Sequence, residues 1–382
     1  MRTVVDVFGS DEVERARRYH RPLYLAAVAG LALDLAALSV LSFTAVGGWL
    51  DGGTDGWAWP ARTAAYSAIV LTLLALVGWP LGFWTGYAHE HAWSLSTQTA
   101  GGWLSDRLKA LAVNLVLGTG VLLGLVAAVH AWPAAWPLVV GAAAAALTLA
   151  LAFLAPVVLE PLFNRFRPLA DPELHARLLE LAEQAGVPVR RVLVADAGRR
   201  TRKLNAYVSG LGHSRRIVVY DTLLAGADRR ELQLVVAHEL GHRRARHVAR
   251  GTVLGMAGAV VFVVVAWALL RWPALRSAIS AAGPGDPRVV PFLLLLGSAL
   301  GLLTSPFGAA ISRRWERQAD AFSLALTRDL HTFESTHRRL ALANLSDLDP
   351  PRAFYLAWFS HPTAPERIAA ARALRPDDEA SL

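Results

Sequence analysis

Residues 110–159 read ALAVNLVLGTGVLLGLVAAVHAWPAAWPLVVGAAAAALTLALAFLAPVVL and contain no Asp, Glu, Lys or Arg. One membrane crossing takes about 20 apolar residues, so a run of roughly 50 reads as two spans folded back at His130–Pro137 (HAWPAAWP). The same pattern continues outward in both directions. Leu23–Trp49 holds a single charge, Asp34, and Thr63–Ala88 holds none. Gly251–Leu270 and Val289–Ser312 complete a set of six predicted transmembrane helices. A buried helix of a water-soluble core rarely sustains more than about 18 uncharged residues, so the membrane reading prevails.

The composition agrees. The chain has 382 residues, 54% hydrophobic and 18% charged, where water-soluble domains carry roughly 25% charged residues. It is too apolar to be disordered and has no cysteine for a disulfide scaffold. Without cysteine there is also no thiol nucleophile and no thiolate ligand, so any metal must sit on His, Asp or Glu. The net charge is +8, and only two of the 38 basic residues, Lys109 and Lys203, are lysine. This arginine excess fits the flanks of membrane helices, and no nucleic-acid partner is expected.

Arg15, Arg17, Arg18 and Arg21 precede the first span, Arg107 and Lys109 the third, while Arg165 and Arg167 follow the fourth and Arg313, Arg314 and Arg317 the sixth. By the positive-inside rule both termini and residues 160–250 face the cytoplasm of a multi-pass protein, expected in the plasma membrane. Arg271, Arg276 and Arg288 fall on the predicted outside, against the pattern. No apolar run precedes Pro22, so the first span reads as a retained anchor and not a cleaved leader. Asp34 and Asn114 lie within spans and are read as hydrogen-bonding across the bundle, although intramembrane polar residues are functional candidates by default.

Four segments follow. Residues 1–159 form an N-terminal membrane region of four spans, 160–250 an aqueous segment, 251–312 two further spans, and 313–382 a second aqueous segment packed against the first. The first aqueous segment is predicted to hold a helix at Pro172–Ala185, strands at Arg191–Val194 and Arg216–Tyr220, and a helix from about Arg229 to Ala249. The second holds a helix from Arg313 to about Ala343, then an irregular stretch and a short helix from Pro365.

The chemistry lies in His238-Glu239-Leu240-Gly241-His242. On a helix, positions i and i+4 share a face, so both imidazoles can reach one metal ion. Glu239 lies about 100° round the helix, placed to reach a water and not the metal. A catalytic zinc takes three protein ligands. His247 falls five residues after His242, off the metzincin spacing, and reads as a solvated residue among Arg243, Arg244, Arg246 and Arg250. Glu316 is the better third ligand. Asp320 stands four residues beyond it, so one carboxylate can bind metal while the other holds a ligand imidazole.

HELGH followed by Glu316 and Asp320 resembles the gluzincin metallopeptidases, and the wider context resembles the integral-membrane CAAX prenyl proteases of type 1. The likeness is carried by PLFNRFRPL (161–169), NAYVSG (205–210), RRIVVYDTLL (215–224), ERQAD (316–320) and SHPTAPERI (360–368). YAHEHAWSLSTQT (87–99) is similar to the family's E-x-x-x-G-F-N loop but lacks G-F-N, and Pro362-Thr363 stands where the family shows two prolines. Eukaryotic members have seven spans, against six counted here.

The resemblance implies a mainly α polytopic membrane protein with a cytoplasmic zincin-like α+β metallopeptidase domain and a short edge-stranded sheet. It implies one zinc per chain on His238, His242 and Glu316, Glu239 as general base, and Asp320 orienting a zinc histidine. His361 and Arg367 would stabilise the oxyanion, and Asn205, Ala206 and Tyr207 would bind substrate along an edge strand. The implied activity is a zinc endopeptidase acting on peptide or protein substrates at the lipid bilayer, membrane-associated, lipidated or CAAX-like. The alternatives are a membrane quality-control protease of the heat-shock kind and a non-catalytic membrane scaffold or transporter with a vestigial metal site. The intact Glu239 argues against the last, since a structural site has no use for a base beside its water.

Overall fold

The computed structural model describes residues 7–210 and 215–374. The outermost residues of the first and last predicted segments therefore lie outside the described residues. Among the described residues, six helices are long and apolar enough to cross a membrane. They are α1 (Ser10–Phe43), α2 (Trp59–Ala92), α3 (Ala100–Ala131) and α4 (Trp136–Phe163), then, beyond the first aqueous segment, α7 (His247–Leu270) and α8 (Val289–Thr327). At 1.5 Å per residue each exceeds the roughly 30 Å hydrocarbon thickness. Their outward faces are apolar: Val116 is 73% and Leu138 79% exposed, surface that only lipid covers without cost. The fold-back between α3 and α4 falls at Trp132–Ala135, as the sequence predicts.

The segment between α4 and α7 forms a four-stranded sheet with two longer helices and the short helix Asp221–Gly226. The strands are β1 (Phe166–Pro168), β2 (Arg191–Ala195), β3 (Ala206–Ser209) and β4 (Arg216–Tyr220), with α5 (Pro172–Gln184) before β2 and α6 (Arg229–Arg244) after β4. Their order is β1-β2-β4-β3, so β3 is an edge. β2 and β4 run parallel in the centre, and each edge strand is antiparallel to its neighbour. The core packs Leu174, Leu178 and Leu181 of α5 and Leu232, Val236 and Leu240 of α6 against Val192, Val194, Ile217 and Val219 of the sheet. The end of α4 docks on this unit, with Glu160 accepting from Ser209 Oγ (2.9 Å) and Arg216 (3.0 Å).

Two helix boundaries differ from expectation. The helix predicted to run to Ala249 stops at Arg244, and Arg246 turns the chain in left-handed geometry (φ 56°) so that α7 begins at His247. The helix expected at Arg313–Ala343 is the continuation of the sixth span through Thr327, broken at Arg328 (φ 50°), followed by α9 (Leu330–Ala343). Beyond α9 come α10 (Arg352–Trp358) and α11 (Ala364–Ala373), and the short helices Ala45–Gly52 and Pro273–Ala278 lie in the connections after α1 and α7.

Of the intramembrane polar residues, Asp34 accepts a hydrogen bond from Ser298 on α8 (2.9 Å). Asn114 lies exposed on α3, not inside the bundle. Arg288, which falls against the expected positive-inside pattern, is neutralised locally. It pairs with Asp286 (3.2 Å) and reaches the buried Asp51 (3.5 Å), to which Arg62 also donates.

Candidate active site

The site forms where α6 crosses α8. α6 starts from a capping box in which Asp228 accepts from Glu231 N–H and the Glu231 side chain accepts from Asp228 N–H, fixing the helix start. Its buried side carries Leu234, Ala237, His238 and Gly241. A Cβ on Gly241 would stand 3.1 Å from Ala319 Cα, so the glycine of HELGH is what allows α8 to approach this closely.

That approach places three ligand atoms, one each from His238, His242 and Glu316, within 4.8 Å of one another. His238 Nε2 lies 3.3 Å and His242 Nε2 3.2 Å from the Glu316 carboxylate, and the two nitrogens are 3.1 Å apart. Glu316 Oε2 is buried and has no hydrogen-bond partner. Two imidazole nitrogens and an orphaned carboxylate oxygen facing one point fit a divalent metal of the zinc class.

The outer nitrogens of both histidines are held. His238 Nδ1 lies 2.9 Å from Asp320 Oδ1. Burial opposes a charge on His238, but the Asp320 and Glu316 carboxylates outweigh it and raise its pKa to about 9. His242 Nδ1 lies 2.9 Å from His247 Nδ1, and His247 Nε2 lies 3.0 Å from Gln318 Oε1. Because a carbonyl oxygen only accepts, His247 Nε2 donates to Gln318, its Nδ1 accepts from His242 Nδ1–H, and His242 Nε2 keeps its lone pair for the metal. His247 is therefore not the solvated residue expected from sequence. It is 3% exposed and stacked on Trp315 at 7°.

Arg367 grips Asp320 through two nitrogens, Nε at 2.8 Å and Nη2 closer still. Its guanidinium thus neutralises the carboxylate that holds His238. His361 Nε2 lies 3.3 Å from Glu316 Oε1 and its Nδ1 2.8 Å from Ser360 Oγ, at the rim of the site. Sequence reasoning did not single out His337. It is buried, donates Nδ1–H to Phe333 O (2.8 Å), and burial together with the Arg367 charge lowers its pKa to about 3. Its position on a separate helix gives no local sequence signal.

A cavity of about 1080 Å³ opens beside this cluster. Glu239, His361 and Arg367 line it together with Asn205 and Ala206, and so do Leu23, Ala27 and Leu31 of α1 and Gly301 and Leu302 of α8. On the edge strand, Tyr220 N–H donates to Asn205 O (3.0 Å). Antiparallel alternation then turns the main chain of Tyr207 toward β4 and that of Ala206 and Val208 away from it. The free side is bounded at both ends. The Asn344 side chain accepts from Leu204 N–H (2.7 Å) and donates to Leu204 O (3.0 Å), and Arg243 donates to Val208 O. Ala206 is left with both its N–H and its C=O facing the groove, while the Tyr207 side chain reaches Glu160 (3.4 Å).

The family model for peptidase family M48 matches residues 168–375. That for the CAAX prenyl protease N-terminal region, described as five membrane helices, matches residues 2–165, where this chain has four long helices. The chain is 33% identical to the metalloprotease YhfN of Bacillus subtilis over 313 residues, covering 80% of this chain and 72% of that protein. It is 26% identical to CAAX prenyl protease 1 of Saccharomyces cerevisiae over 326 residues, covering 81% and 72%. Its fold is that of the crystal structure of Ste24p from S. mikatae, with TM-score 0.80 over 95% of this chain and 89% of that one at 23% identity. The chain belongs to peptidase family M48, as a multi-pass membrane metalloendopeptidase.

Proposed function

We propose that the chain hydrolyses peptide bonds in membrane-associated, lipidated or CAAX-like proteins, with one zinc held by His238, His242 and Glu316 and with the active site on the cytoplasmic side of the plasma membrane. When bound there, zinc supplies Lewis-acid polarisation of a water and of the scissile carbonyl. Glu239, in the cavity wall one residue from His238, takes a proton from the attacking water as its oxygen bonds to the carbonyl carbon. The same carboxyl then gives that proton to the amine as the C–N bond breaks. His361, at the rim, faces the oxygen on which charge develops. Arg367 acts in part through Asp320, which keeps His238 oriented. The substrate chain lies as an added strand, its N–H donating to Ala206 O and its C=O accepting from Ala206 N–H.

The observation that carries this reading is the wall of the cavity. It joins the Glu239 carboxylate to apolar residues of two membrane spans, so one substrate can present a peptide bond to the former and an acyl or prenyl chain to the latter. The test compares cleavage, by the full-length protein in nanodiscs, of one peptide with and without a prenylated cysteine. The Glu239→Gln variant serves as blank. A kcat/KM at least about tenfold higher for the lipidated peptide supports the reading, since even a few buried methylenes contribute that much. Equal rates would refute a lipid-reading cavity and favour quality control of unfolded membrane proteins.

A further inference from the structure

Where α6 ends, four guanidinium groups converge with no carboxylate among them. Arg243 and Arg244 close the last turn of α6, Arg246 occupies the left-handed turn into α7, and Arg215 precedes β4. With Gly186 and Val187 they wall a recess of about 370 Å³. None of the four shares a lining position with the cavity that holds Glu239.

The recess is shaped for these side chains. Gly186 adopts φ +65°, and a Cβ there would stand 2.6 Å from Arg244 Nη1. Arg243 is anchored on Val208 O, and the Arg215 Nε is buried with no hydrogen-bond partner. The C-terminal ends of α5 and α6 each present about half a negative charge, so together they offset only about one of the four positive charges. Arg215 and Arg243 wall the same recess, and their like charges repel one another, against the pull of the Glu239 and Glu160 carboxylates on Arg243. An anion in the recess would remove this repulsion.

The location narrows the choice of anion. Arg216, the residue after Arg215, donates to Pro156 O (2.6 Å) near the end of α4, and α7 begins one residue after Arg246. The recess therefore sits beside the ends of two membrane-spanning helices, next to the peptidase segment. Arginine forks match the geometry of phosphate oxygens, and basic clusters at the foot of a span attract anionic lipid. We propose that Arg215, Arg243, Arg244 and Arg246 form a phosphate-binding recess, taking either the headgroup phosphate of an anionic phospholipid or a soluble phosphate.

The test is native mass spectrometry of the full-length, detergent-solubilised protein, titrated with phosphatidylglycerol, with phosphatidylcholine and with inorganic phosphate. It is repeated on the Arg215→Gln/Arg244→Gln/Arg246→Gln variant, which spares Arg243 because that side chain holds the edge strand. Zinc content and thermal midpoint matching the parent establish that the variant folds. If it does not fold, Arg246→Gln alone, at an exposed position, replaces it. We expect phosphatidylglycerol to bind at least about tenfold more tightly than phosphatidylcholine, with that preference lost in the triple variant and cut about threefold or more in the single one. Displacement of the lipid by millimolar phosphate, or arginine-dependent binding of phosphate alone, would assign the recess to the soluble anion. Equal binding of both lipids and of phosphate by parent and variant would overturn the proposal.

Discussion

Replacing His247 with phenylalanine isolates the effect of its outer nitrogens on the metal. Phenylalanine keeps the stack on Trp315 and nearly the same volume, so the helix junction loses little packing. What disappears is the acceptor 2.9 Å from His242 Nδ1. His242 then has no partner to fix its ring or to keep the proton on Nδ1, and the tautomer with the proton on Nε2 cannot ligate. Removing such an outer partner costs roughly 10–100-fold in metal affinity, or about 1.4–2.7 kcal/mol. The assay is competition for zinc between the purified protein and a fluorescent chelator of known affinity. The thermal midpoint of the chelator-treated protein reports any purely structural loss. Gln318→Met should weaken zinc less than His247→Phe, since His247 then loses its own acceptor but still meets His242. Zinc affinity within twofold of the parent in His247→Phe would refute the relay and leave His247 a packing residue.

Four further outcomes follow from the same geometry. Glu239→Gln should abolish cleavage while keeping zinc, whereas Glu316→Ala or His242→Ala should lose both; equal zinc loss in all three would reverse the assigned roles. Zinc affinity of the stripped protein should fall about tenfold per pH unit as the pH drops below about 9, because His238 then carries a proton that the metal must displace. Affinity that stays flat down to pH 6.5, the ordinary histidine range, would contradict the raised pKa. A proline scan of a good substrate should show one intolerant position, the residue opposite Ala206, because only there does the edge demand a substrate N–H; intolerance at two positions spaced by two would show a longer open edge. Reporter fusions at the C-terminus and in the 51–62 loop should give opposite signals, and like signals would overturn the six-span orientation.

The membrane helices were legible because length and charge alone decide them, without tertiary context. The metal cluster was legible where its geometry is local to one helix: His238 with His242, and Glu316 with Asp320, both at i and i+4. His247 was misread for the same reason. Five residues along a straight helix amount to a rotation of roughly 140°, which carries it away from His242. The left-handed turn at Arg246 brings it back, and nothing in an arginine at that position announces the turn. The arginine flanks yield an orientation that the reporter fusions would test, and the exception at Arg288 meets carboxylates from two separate stretches of chain, Asp51 and Asp286, that no local pattern pairs with it.

The edge strand marks the boundary between what a motif specifies and what the fold adds. NAYVSG identifies the strand, and the alternation of a strand limits its outward main-chain groups to every second residue. Which of those groups remain open depends on side chains that the motif does not contain. Asn344 reaches across 140 residues of sequence to occupy both the N–H and the C=O of Leu204 with one amide, as a paired strand would. Arg243, in the last turn of the HELGH helix, closes Val208 O from the other end. A strand that could pair with four or five substrate residues is thereby reduced to one full pair at Ala206. An extended substrate gains little main-chain energy beyond that pair, at about 0.5–1.5 kcal/mol per hydrogen bond. On the proposed reading, affinity then comes largely from the apolar wall between α1 and α8, which would tie the choice of substrate to the membrane more than to the sequence around the cleaved bond.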